Sequence, residues 1–402
     1  MNDGWPGTRR AIADGRNGPG RRYRIAIVST GRFWVLDLAR ELHALGHIVT
    51  FYSLLPLSRA RKFGLLPQCH RSLLLYLFPL VVAWRVCPKS LTNLADRLLQ
   101  RAVDFLAAIR LEPCDVFIGM SGLCVRSARA ARDKYRAKIF IERGSRHILS
   151  QKEIGEAIAK RHDVVVSSFT MRRELWAYNY ADLIGIPSYH VEESFLTRGI
   201  PKEKLFRNPY GVDLNTFLPT ERLASRSTIL FVGTWSLRKG CDVLWKACEP
   251  VDSWHVVHVG PLGDAPVPVS PRFQHHDPVE QTDLIKFYQR AHIFVLASRE
   301  EGLSLVLAQA LACGLPVVCT THTGGSDLQE FLSDPKWVRV VPVGDIAALR
   351  DAIEVTLALA QGQTGVRDIL GPARDKFSWA RYGKRYSDEI VSRLREEDEA
   401  GG

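Results

Sequence analysis

Apolar positions along the chain follow two periods in turn, and this alternation predicts strands and helices. Short β-branched runs such as RIAIVST (24–30) and HIVTFYS (47–53) predict buried strands. Between them, WVLDLARELHALG has apolar residues at helical spacing. The runs CDVFIGMS, KIFIERGS, DVVVSS and ADLIGIPS (181–188) continue the strands, with a crossover helix over 125–137. Strands that alternate with helices indicate a parallel sheet with helices on both faces.

A second series of the same kind begins at STILFVGT (227–234) and continues through WHVVHVGP, HIFVLAS and PVVCTT. The sequence therefore predicts an α/β protein with two doubly wound, Rossmann-like domains that face each other across a cleft. We expect a flexible basic tail over 1–22, a first domain over 23–189 and a second domain over 190–379. Residues 380–402 are expected to form a C-terminal helix that crosses back to the first domain.

Composition is that of a globular protein, with 46% hydrophobic and 24% charged residues. The eight cysteines form no C-x-x-C pair and lie mostly in apolar runs, which is typical of buried free thiols in a reducing compartment. The longest apolar run, SLLLYLFPLVVAWRV (72–86), is short for a membrane span and is interrupted by Pro79. We interpret this run as a segment that is buried or that dips into a surface.

Positive charge is concentrated in the first half of the chain. Residues 1–200 hold 31 Lys and Arg against 17 Asp and Glu, whereas the remainder holds 23 against 26. Such asymmetry suggests an anionic partner, and a membrane surface ranks first. A solvated basic face with no specific partner ranks second, and nucleic acid ranks third because no nucleic-acid-binding motif is present.

The stretch EEGLSLVLAQALACGLPVV (300–318) is the first candidate for chemistry, because it follows a strand and enters a helix over 303–312. A helix start offers unpaired N–H groups and a positive dipole end to an anion. Glu301 could accept hydrogen bonds from sugar hydroxyls while the N–H groups of Leu303 and Ser304 hold a phosphate. Glu301 could equally be a capping carboxylate, with Gln309 merely packed two turns further along.

A second candidate is LFVGTWSLRKGCDVL (230–244), a strand and loop that ends in Arg238 and Lys239 before a new helix. Two cations at the carboxyl end of a strand suit a diphosphate, although an exposed basic turn would look the same. The dinucleotide fingerprint G-x-G-x-x-G does not follow the first strand, where STGRFW stands instead. An oxidoreductase of the nicotinamide class is therefore disfavoured.

Together VGTWSLRKG, ASREEGLSLVLAQALACGLPVV, HTGG and NPYGVDLNTFLP resemble the retaining glycosyltransferases of family 4, which have the GT-B fold. The resemblance is dense over about 181–379 and implies transfer of a sugar from a UDP- or GDP-sugar, without an obligatory metal or other cofactor. The Glu-x7-Glu motif of that family falls on Glu301 and Gln309. The resemblance implies a donor site with Gly31, Gly233, Glu301, Gly302, Leu303, Ser304 and Gln309.

Lys239 matches the phosphate-binding lysine of the family, and Thr234 stands where an arginine is usual, so Arg238 is expected to supply that charge. Gln309 keeps a hydrogen-bond acceptor and donor for a ribose but has no charge. In the first half, FIERGSRHILSQ is expected to bring Glu142, Arg143 and His147 to the acceptor side. Arg238, Lys239, Glu301 and His147 are the residues expected to be catalytic.

The expected partners are a nucleotide-sugar donor, a glycan or lipid-linked acceptor and an anionic membrane surface. The protein is expected in the cytoplasm, peripheral at the inner face of the membrane. The leading hypothesis is a transferase of polysaccharide biosynthesis. Two alternatives stay open: a non-catalytic nucleotide-sugar-binding protein, and a sugar-nucleotide epimerase of the same fold. A phosphorylase is disfavoured because no pattern for a lysine bound to pyridoxal phosphate is present.

Overall fold

The computed structural model describes residues 21–88, 91–158, 166–219, 221, 227–361 and 365–400. The predicted tail (1–22) lies almost wholly outside these residues. The predicted strand DVVVSS lies outside them at 163–165, and its last residue, Ser168, begins a helix.

The first sheet has seven parallel strands in the order β3-β2-β1-β4-β5-β6-β7. The first three strands are β1 (Arg24–Val28), β2 (Ile48–Ser53) and β3 (His70–Ser72). They are followed by β4 (Val116–Met120), β5 (Lys138–Glu142), β6 (Leu183–Ile186) and β7 (Leu205–Arg207). The strand order reverses at β1, which pairs with β2 on one side and β4 on the other. Ligands bind open α/β sheets at such a reversal, outside the carboxyl ends of the strands.

The second sheet has six parallel strands in the order β10-β9-β8-β11-β12-β13. Its strands are β8 (Ser227–Val232), β9 (Trp254–Val259), β10 (Phe273–His276), β11 (Ile293–Leu296), β12 (Val317–Thr320) and β13 (Val338–Val341). The order again reverses at its first strand, β8. The predicted class, two doubly wound α/β domains, is confirmed.

Helices cover both sheets. Those of the first half are α1 (Trp34–Ala44), α2 (Leu57–Lys62), α3 (Leu74–Arg85), α4 (Thr92–Arg110), α5 (Arg126–Tyr135), α6 (Ile148–Ile158), α7 (Ser168–Tyr180) and α8 (Tyr189–Leu196). Those of the second half are α9 (Cys241–Cys248), α10 (Gln281–Arg290), α11 (Leu305–Ala312), α12 (Gly325–Phe331), α13 (Ile346–Gln361) and α14 (Trp379–Ala400).

Strand β7 lies beyond position 189, where the sequence predicts the boundary between the domains. The first sheet therefore extends at least to Arg207, and the linker to the second sheet follows it. Strands β3, β7, β10 and β13 are not evident in the sequence. Each lies at or next to a sheet edge, and β3 and β7 have only three residues with polar members, so they lack an apolar run.

Helix α14 returns from the second domain and packs on α1 of the first. On the way, the chain at 377–385 contacts the outgoing linker: Val212 N–H donates to the Phe377 carbonyl (2.8 Å), and Arg385 donates to Asn208 Oδ1 (2.6 Å). At Gly211 the two passages come so close that a Cβ would meet the Trp379 nitrogen at 2.5 Å. The two passages between the domains therefore form one joined connection.

Candidate functional site

A cleft of about 770 Å³ lies between the carboxyl edges of the two sheets. The first domain contributes the loop after β1, the start of α1 and the end of α2, whereas the second contributes Leu305 and Gln309 of α11. Its charged side chains are Arg32, Asp37, Arg40, Glu41, Lys62 and Asp213. The loop after β1, where the order of the first sheet reverses, lines this cleft, so the fold offers a ligand site there. Arg238, Lys239 and Glu301 are not among the lining residues.

Helix α11 starts beside this cleft, directly after the turn that leaves β11. Its N-cap residue, Ser304, makes no side-chain hydrogen bond to the first turn. The N–H of Ser304 itself donates a hydrogen bond to the Thr323 carbonyl (3.2 Å). This N–H group is therefore already used within the protein, contrary to the prediction that it binds a phosphate. Because an α-helix leaves its first N–H groups without intrahelical partners, the positive end of α11 faces the predicted donor site.

The two predicted cations lie at Glu301. Lys239 Nζ forms an ion pair with Glu301 Oε1, and both side chains are largely buried. Arg238 Nη1 is 3.6 Å from the same oxygen. Ser298 Oγ donates to that oxygen as well (3.1 Å). A diphosphate that entered here would compete with Glu301 for Lys239, because the phosphate oxygens carry the greater charge.

Glu300, which the sequence analysis did not single out, joins the two domains. It is 2% exposed, its Oε1 accepts a hydrogen bond from Ser145 of the first domain, and Arg238 Nη1 is 3.4 Å from its Oε2. Arg238 also donates to the Glu300 backbone carbonyl (2.9 Å). The adjacent acidic residues in SREEG were the sequence signal for a role of Glu300. Two neighbouring side chains in a turn can point to opposite sides, so that each carboxylate meets a different domain.

The loop that carries Arg238 and Lys239 is clamped to the β11 turn by Arg299. Arg299 donates to both carboxylate oxygens of Asp242, at 2.6 and 2.8 Å, and also to the Leu237 carbonyl. Burial raises the pKa of Asp242, but the hydrogen bonds from Arg299 and its positive charge act together against burial, so the pKa is lowered. A bidentate pair of this kind fixes direction as well as distance, so it sets where the two cations stand.

Two predicted glycines occupy positions that require glycine. Gly233 has φ 139°, a conformation that side-chain-bearing residues rarely adopt, and its carbonyl accepts from His258 Nε2 (2.8 Å). Gly302 lies against the first domain, where a Cβ would meet the Gly144 carbonyl oxygen at 1.9 Å. The next residue, Leu303, is buried against Gly324 of the HTGG turn. These contacts bring the two domains to within backbone distance of each other beside Glu301.

Gln309 lines the cleft from the second turn of α11. Its Oε1 accepts a hydrogen bond from the hydroxyl of Tyr288 (3.1 Å), a fully buried residue that the sequence analysis did not identify. With the amide in this orientation, its Nε2 group remains as a donor. Gln309 therefore faces the cleft as predicted, and it does so without a charge.

The loop after β1 contains Gly31, which the resemblance assigns to the donor site. A Cβ at Gly31 would meet nothing within 4 Å, so this glycine is not required for space. Arg32 lies over the ring of Phe63 at 3.6 Å and lines the cleft, and burial lowers its pKa. Trp34 fills the space beyond, because a Cβ at Gly144 would meet its ring at 2.2 Å.

Glu142 does not face the cleft, contrary to the expected role in binding an acceptor hydroxyl. It is 3% exposed, and its two oxygens accept hydrogen bonds from Trp34 Nε1 (2.6 Å) and from the Tyr386 hydroxyl (2.8 Å). Burial raises its pKa, and these two hydrogen bonds oppose that shift. Both carboxylate oxygens are thus used within the protein, where they hold Trp34 beside the cleft and join α14 to β5.

Arg143 and His147 are likewise buried in the first domain. Arg143 pairs with Glu174 (2.7 Å) and donates to the Arg146 carbonyl, so it shapes the loop after β5. His147 packs on Tyr178 and Phe195, with ring centroids 4.9 and 5.1 Å away. Burial lowers the pKa of His147 to about 4, so it is neutral at neutral pH. Neither residue lines the cleft, and the predicted acceptor and catalytic roles have no support from these positions.

The structure therefore brings together Arg238, Lys239 and Glu301 at the start of α11, with Gly233 behind them and Gly302 beside them. Gln309 and the loop after Gly31 line the cleft on opposite sides. Glu142, Arg143 and His147 form the buried support of the first-domain wall. Chemically, the cluster offers two cations, a helix N-terminus and a carboxylate, which suits a bound diphosphate joined to a sugar.

Two facing doubly wound sheets with the site at their shared edge define the GT-B fold. A family model described as Glycosyl transferases group 1 matches residues 226–358, which span most of the second sheet and include the cation loop and α11. The recognition of a group 1 glycosyl transferase domain in the second half of the chain is therefore confirmed.

Relatives in sequence align with less than half of the chain. The D-inositol 3-phosphate glycosyltransferase of Xylanimonas cellulosilytica is 32% identical in an alignment of 154 residues that covers 31% of this chain and 37% of that protein. The protein of the same name from Mycobacterium tuberculosis (strain ATCC 25177 / H37Ra) is 28% identical in an alignment of 193 residues that covers 42% of this chain and 40% of that protein. The alignments thus span well under half of the length of these relatives.

Solved structures are similar over nearly the whole chain. Sucrose-phosphate synthase of Thermosynechococcus elongatus has a TM-score of 0.63 at 19% identity and covers 95% of this chain and 100% of its own. HepE (Alr3699) of Anabaena, solved in complex with UDP-glucose, has a TM-score of 0.61 at 14% identity and covers 92% of this chain and 100% of its own. At these identities the likeness concerns the fold alone, and it confirms the predicted arrangement of two facing domains.

Proposed function

We propose that this protein is a retaining glycosyltransferase that moves a sugar from a nucleotide-sugar donor to a glycan or lipid-linked acceptor. The observation that carries the proposal is the cluster of Lys239, Arg238 and Glu301 at the start of α11, inside the segment that matches the group 1 family. The complex of HepE with UDP-glucose supports a nucleotide sugar as the class of donor.

Departure of a nucleoside diphosphate builds negative charge on its phosphate oxygens. Lys239, Arg238 and the N-terminus of α11 would stabilise that charge, and the Arg299–Asp242 pair already fixes the loop that carries the two cations. These groups supply the positive charge that a metal supplies in other transferases, and we propose a reaction without an obligatory metal. Glu301, released from Lys239, would accept hydrogen bonds from the donor sugar.

For the chemical step we propose attack from the face that the diphosphate leaves. The acceptor hydroxyl oxygen forms a bond to the anomeric carbon as the bond from that carbon to the diphosphate breaks. The acceptor proton goes to the departing phosphate oxygen, so no protein base is required. The buried positions of Glu142 and His147 agree with a step that uses neither of these two side chains.

The acceptor is proposed to be a growing polysaccharide or its lipid-linked precursor, and the protein is proposed to work in the cytoplasm at the inner face of a membrane. The excess of basic residues over 1–200 supports this location, because it favours an anionic surface. No helix of the described residues is long and apolar enough to cross a bilayer.

A second candidate is a nucleotide-sugar-binding protein without transferase activity. The observation in its favour is Gln309, which lacks the charge of a carboxylate and has its oxygen engaged by Tyr288. The two candidates differ in turnover, since both would bind the donor but only a transferase would release the nucleoside diphosphate.

The test measures binding and turnover on the same preparation. Calorimetry against UDP, GDP and their common sugars identifies the nucleotide, and release of nucleoside diphosphate from the bound donor measures turnover. Glu301→Gln is expected to lower turnover by about 100-fold or more while nucleotide binding changes less, because Glu301 is proposed to hydrogen-bond the donor sugar. Lys336→Ala, which removes an exposed cation elsewhere in the second domain, is the control. Binding without turnover in the wild type would favour the second candidate, and binding of no nucleotide would contradict both.

A further inference from the structure

Helix α3 is apolar on every side, although it lies at the surface. Its residues LLYLFPLVVAWR contain no acidic side chain, and none of them is fully buried. Leu77, Leu80 and Val81 pack against the core of the first domain. A surface helix normally turns a polar face to water, and one that is apolar all round is found where water is excluded on both sides.

The outer face of α3 is a continuous exposed stripe. Leu75, Phe78, Val82 and the following Val86 recur at helical spacing and are 80%, 56%, 43% and 75% exposed. The stripe lies on the opposite side from the residues that pack on the core. Single exposed apolar residues are ordinary, but a row of large ones along a whole helix marks an interaction surface.

Helix α4 pairs with α3 and extends this surface. Trp84 donates to Asp96 (2.5 Å) at one end of the pair, and Arg110 donates to Tyr76 (2.5 Å) at the other, so the two helices run antiparallel. Further large apolar side chains are exposed on or just before α4, namely Leu91, Leu94, Leu98, Phe105 and Ile109. We call α3 and α4 together the apolar hairpin.

The described residues of the apolar hairpin carry more positive than negative charge. Its described residues, 74–88 and 91–110, carry Arg85, Arg97, Arg101 and Arg110. Of the two acids, Asp104 is buried and pairs with Arg173, and the half-buried Asp96 accepts a hydrogen bond from Trp84. An apolar surface flanked by arginines, with Tyr76 and Trp84 presenting both a ring and a polar tip, matches the composition of segments that lie in a membrane interface.

We propose that the apolar hairpin docks the protein on an anionic lipid membrane, with the outer stripe of α3 inserted among the acyl chains and the arginines at the headgroup phosphates. Helix α3 has 12 residues, so it is about 18 Å long and cannot cross a hydrocarbon core of about 30 Å. It lies in the interface instead. The charge complementarity selects an anionic bilayer over a protein partner or a second copy of the chain.

The apolar hairpin lies close to the cleft, so docking would bring the cleft near the membrane. Helix α3 begins at the carboxyl edge of the first sheet, where Leu73 N–H donates to the Ser53 carbonyl (2.8 Å), and this is the edge that bounds the cleft. A membrane on the hairpin would therefore lie beside the first-domain wall of the cleft, from where a lipid-linked acceptor could enter. The docking itself requires no sugar chemistry and stands independently of the proposed transferase activity.

The test is sedimentation of the full chain with vesicles of zwitterionic lipid, with and without an equal share of anionic lipid, at low and high salt. Binding is expected to the anionic vesicles and to fall at high salt. The triple variant Leu75→Glu, Phe78→Glu and Val82→Glu is expected to bind at least about 100-fold more weakly, because burial of three large apolar side chains is lost. The matched control introduces Glu at the exposed residues Val269, Val355 and Val366 of the second domain, and it is expected to bind like the wild type.

A second variant tests the proposal independently, in case the first variant does not fold. Replacement of Arg85, Arg97 and Arg101 by Gln leaves the apolar stripe intact and is expected to weaken anionic-vesicle binding roughly fivefold per arginine at low salt. Circular dichroism and nucleotide binding report folding separately. Equal binding of all three variants would overturn the proposal. So would light scattering that shows a dimer of the wild type which only the Leu75, Phe78 and Val82 variant dissociates, since a second copy would then cover the hairpin.

Discussion

The loops that leave the first strand of each sheet occupy equivalent positions, because β1 and β8 are the strands at which the two sheet orders reverse. The loop after β8 contains Gly233 at a positive φ and Lys239 in an ion pair with a carboxylate. The loop after β1 contains Gly31 in ordinary backbone geometry, and it is followed by Trp34, which covers Gly144. The loop after the first strand of each sheet therefore carries an ion pair in the second domain and a packed tryptophan in the first.

The difference teaches that topology selects the place for a ligand but not the chemistry offered there. The second-domain loop pairs its cations with Glu301 and is held by Arg299. The first-domain loop brings Arg32 to the cleft and hydrogen-bonds inside the protein through Trp34 and Glu142. We therefore expect substitutions in the β8 loop to change ligand affinity and those in the β1 loop to change it less.

The largest effect is expected for Lys239→Ala, compared with Arg32→Ala. Removal of a largely buried cation that faces a diphosphate should weaken binding of the nucleotide by roughly 10- to 100-fold. Arg32, which stacks on Phe63, should change it only a few-fold. Calorimetric titration of both variants with the nucleotide that binds the wild type makes the comparison, and equal losses would contradict it.

The next effect concerns stability. Gly233→Ala forces a side chain into a conformation reserved for glycine and should lower the free energy of unfolding by about 1–3 kcal/mol. Gly31→Ala, which has open space around its Cβ position, should change it by less than about 0.5 kcal/mol. Urea unfolding followed by circular dichroism measures both, and a destabilised Gly31→Ala would show that the β1 loop is as constrained as the β8 loop.

The stability of the first domain is expected to decrease at acidic pH because of the buried His147. The pKa of His147 is lowered to about 4 in the folded protein from an ordinary 6.5, so the unfolded chain binds more protons between these values. The contribution of His147 to the free energy of unfolding is therefore complete above pH 6.5 and is lost as the pH decreases toward 4. At about pH 5.5 the loss is on the order of 1 kcal/mol.

The check is the pH dependence of the thermal midpoint of His147→Asn, whose side-chain oxygen can replace Nδ1 as the acceptor of the Leu149 N–H. The variant is expected to lose less stability between neutral and mildly acidic pH than the wild type. Identical pH profiles would mean that His147 is solvated in the folded protein.

The smallest effect is expected at the far end of α11. Gln309→Glu would restore a carboxylate that accepts from both Tyr288 and a ribose, and it should tighten nucleotide binding by a few-fold. Tyr288→Phe in the same background tests whether the buried hydroxyl orients this side chain. Weaker binding by Gln309→Glu would show that the amide donor is the group that the ligand uses.

The fold was largely predictable, because buried parallel strands and amphipathic helices leave distinct periods in the sequence. The cation cluster was predictable for a related reason, since Arg238, Lys239 and Glu301 each lie in a turn directly after an evident strand. The role of Glu142 was not, because its partners Trp34 and Tyr386 are 108 and 244 positions away. Whether a polar residue at a strand end faces a cleft or the interior depends on such distant partners.

The joined connection formed by 208–212 and 377–385 has a mechanical consequence. A body tethered by a single flexible linker can swing and twist in all directions, whereas two passages fastened side by side resist torsion and leave mainly one bending axis. The hydrogen bonds from Arg385 to Asn208 and from Val212 to Phe377 fasten them. The two halves should therefore open and close along one reproducible path, so that Glu300 meets Ser145 in the same register on every closure.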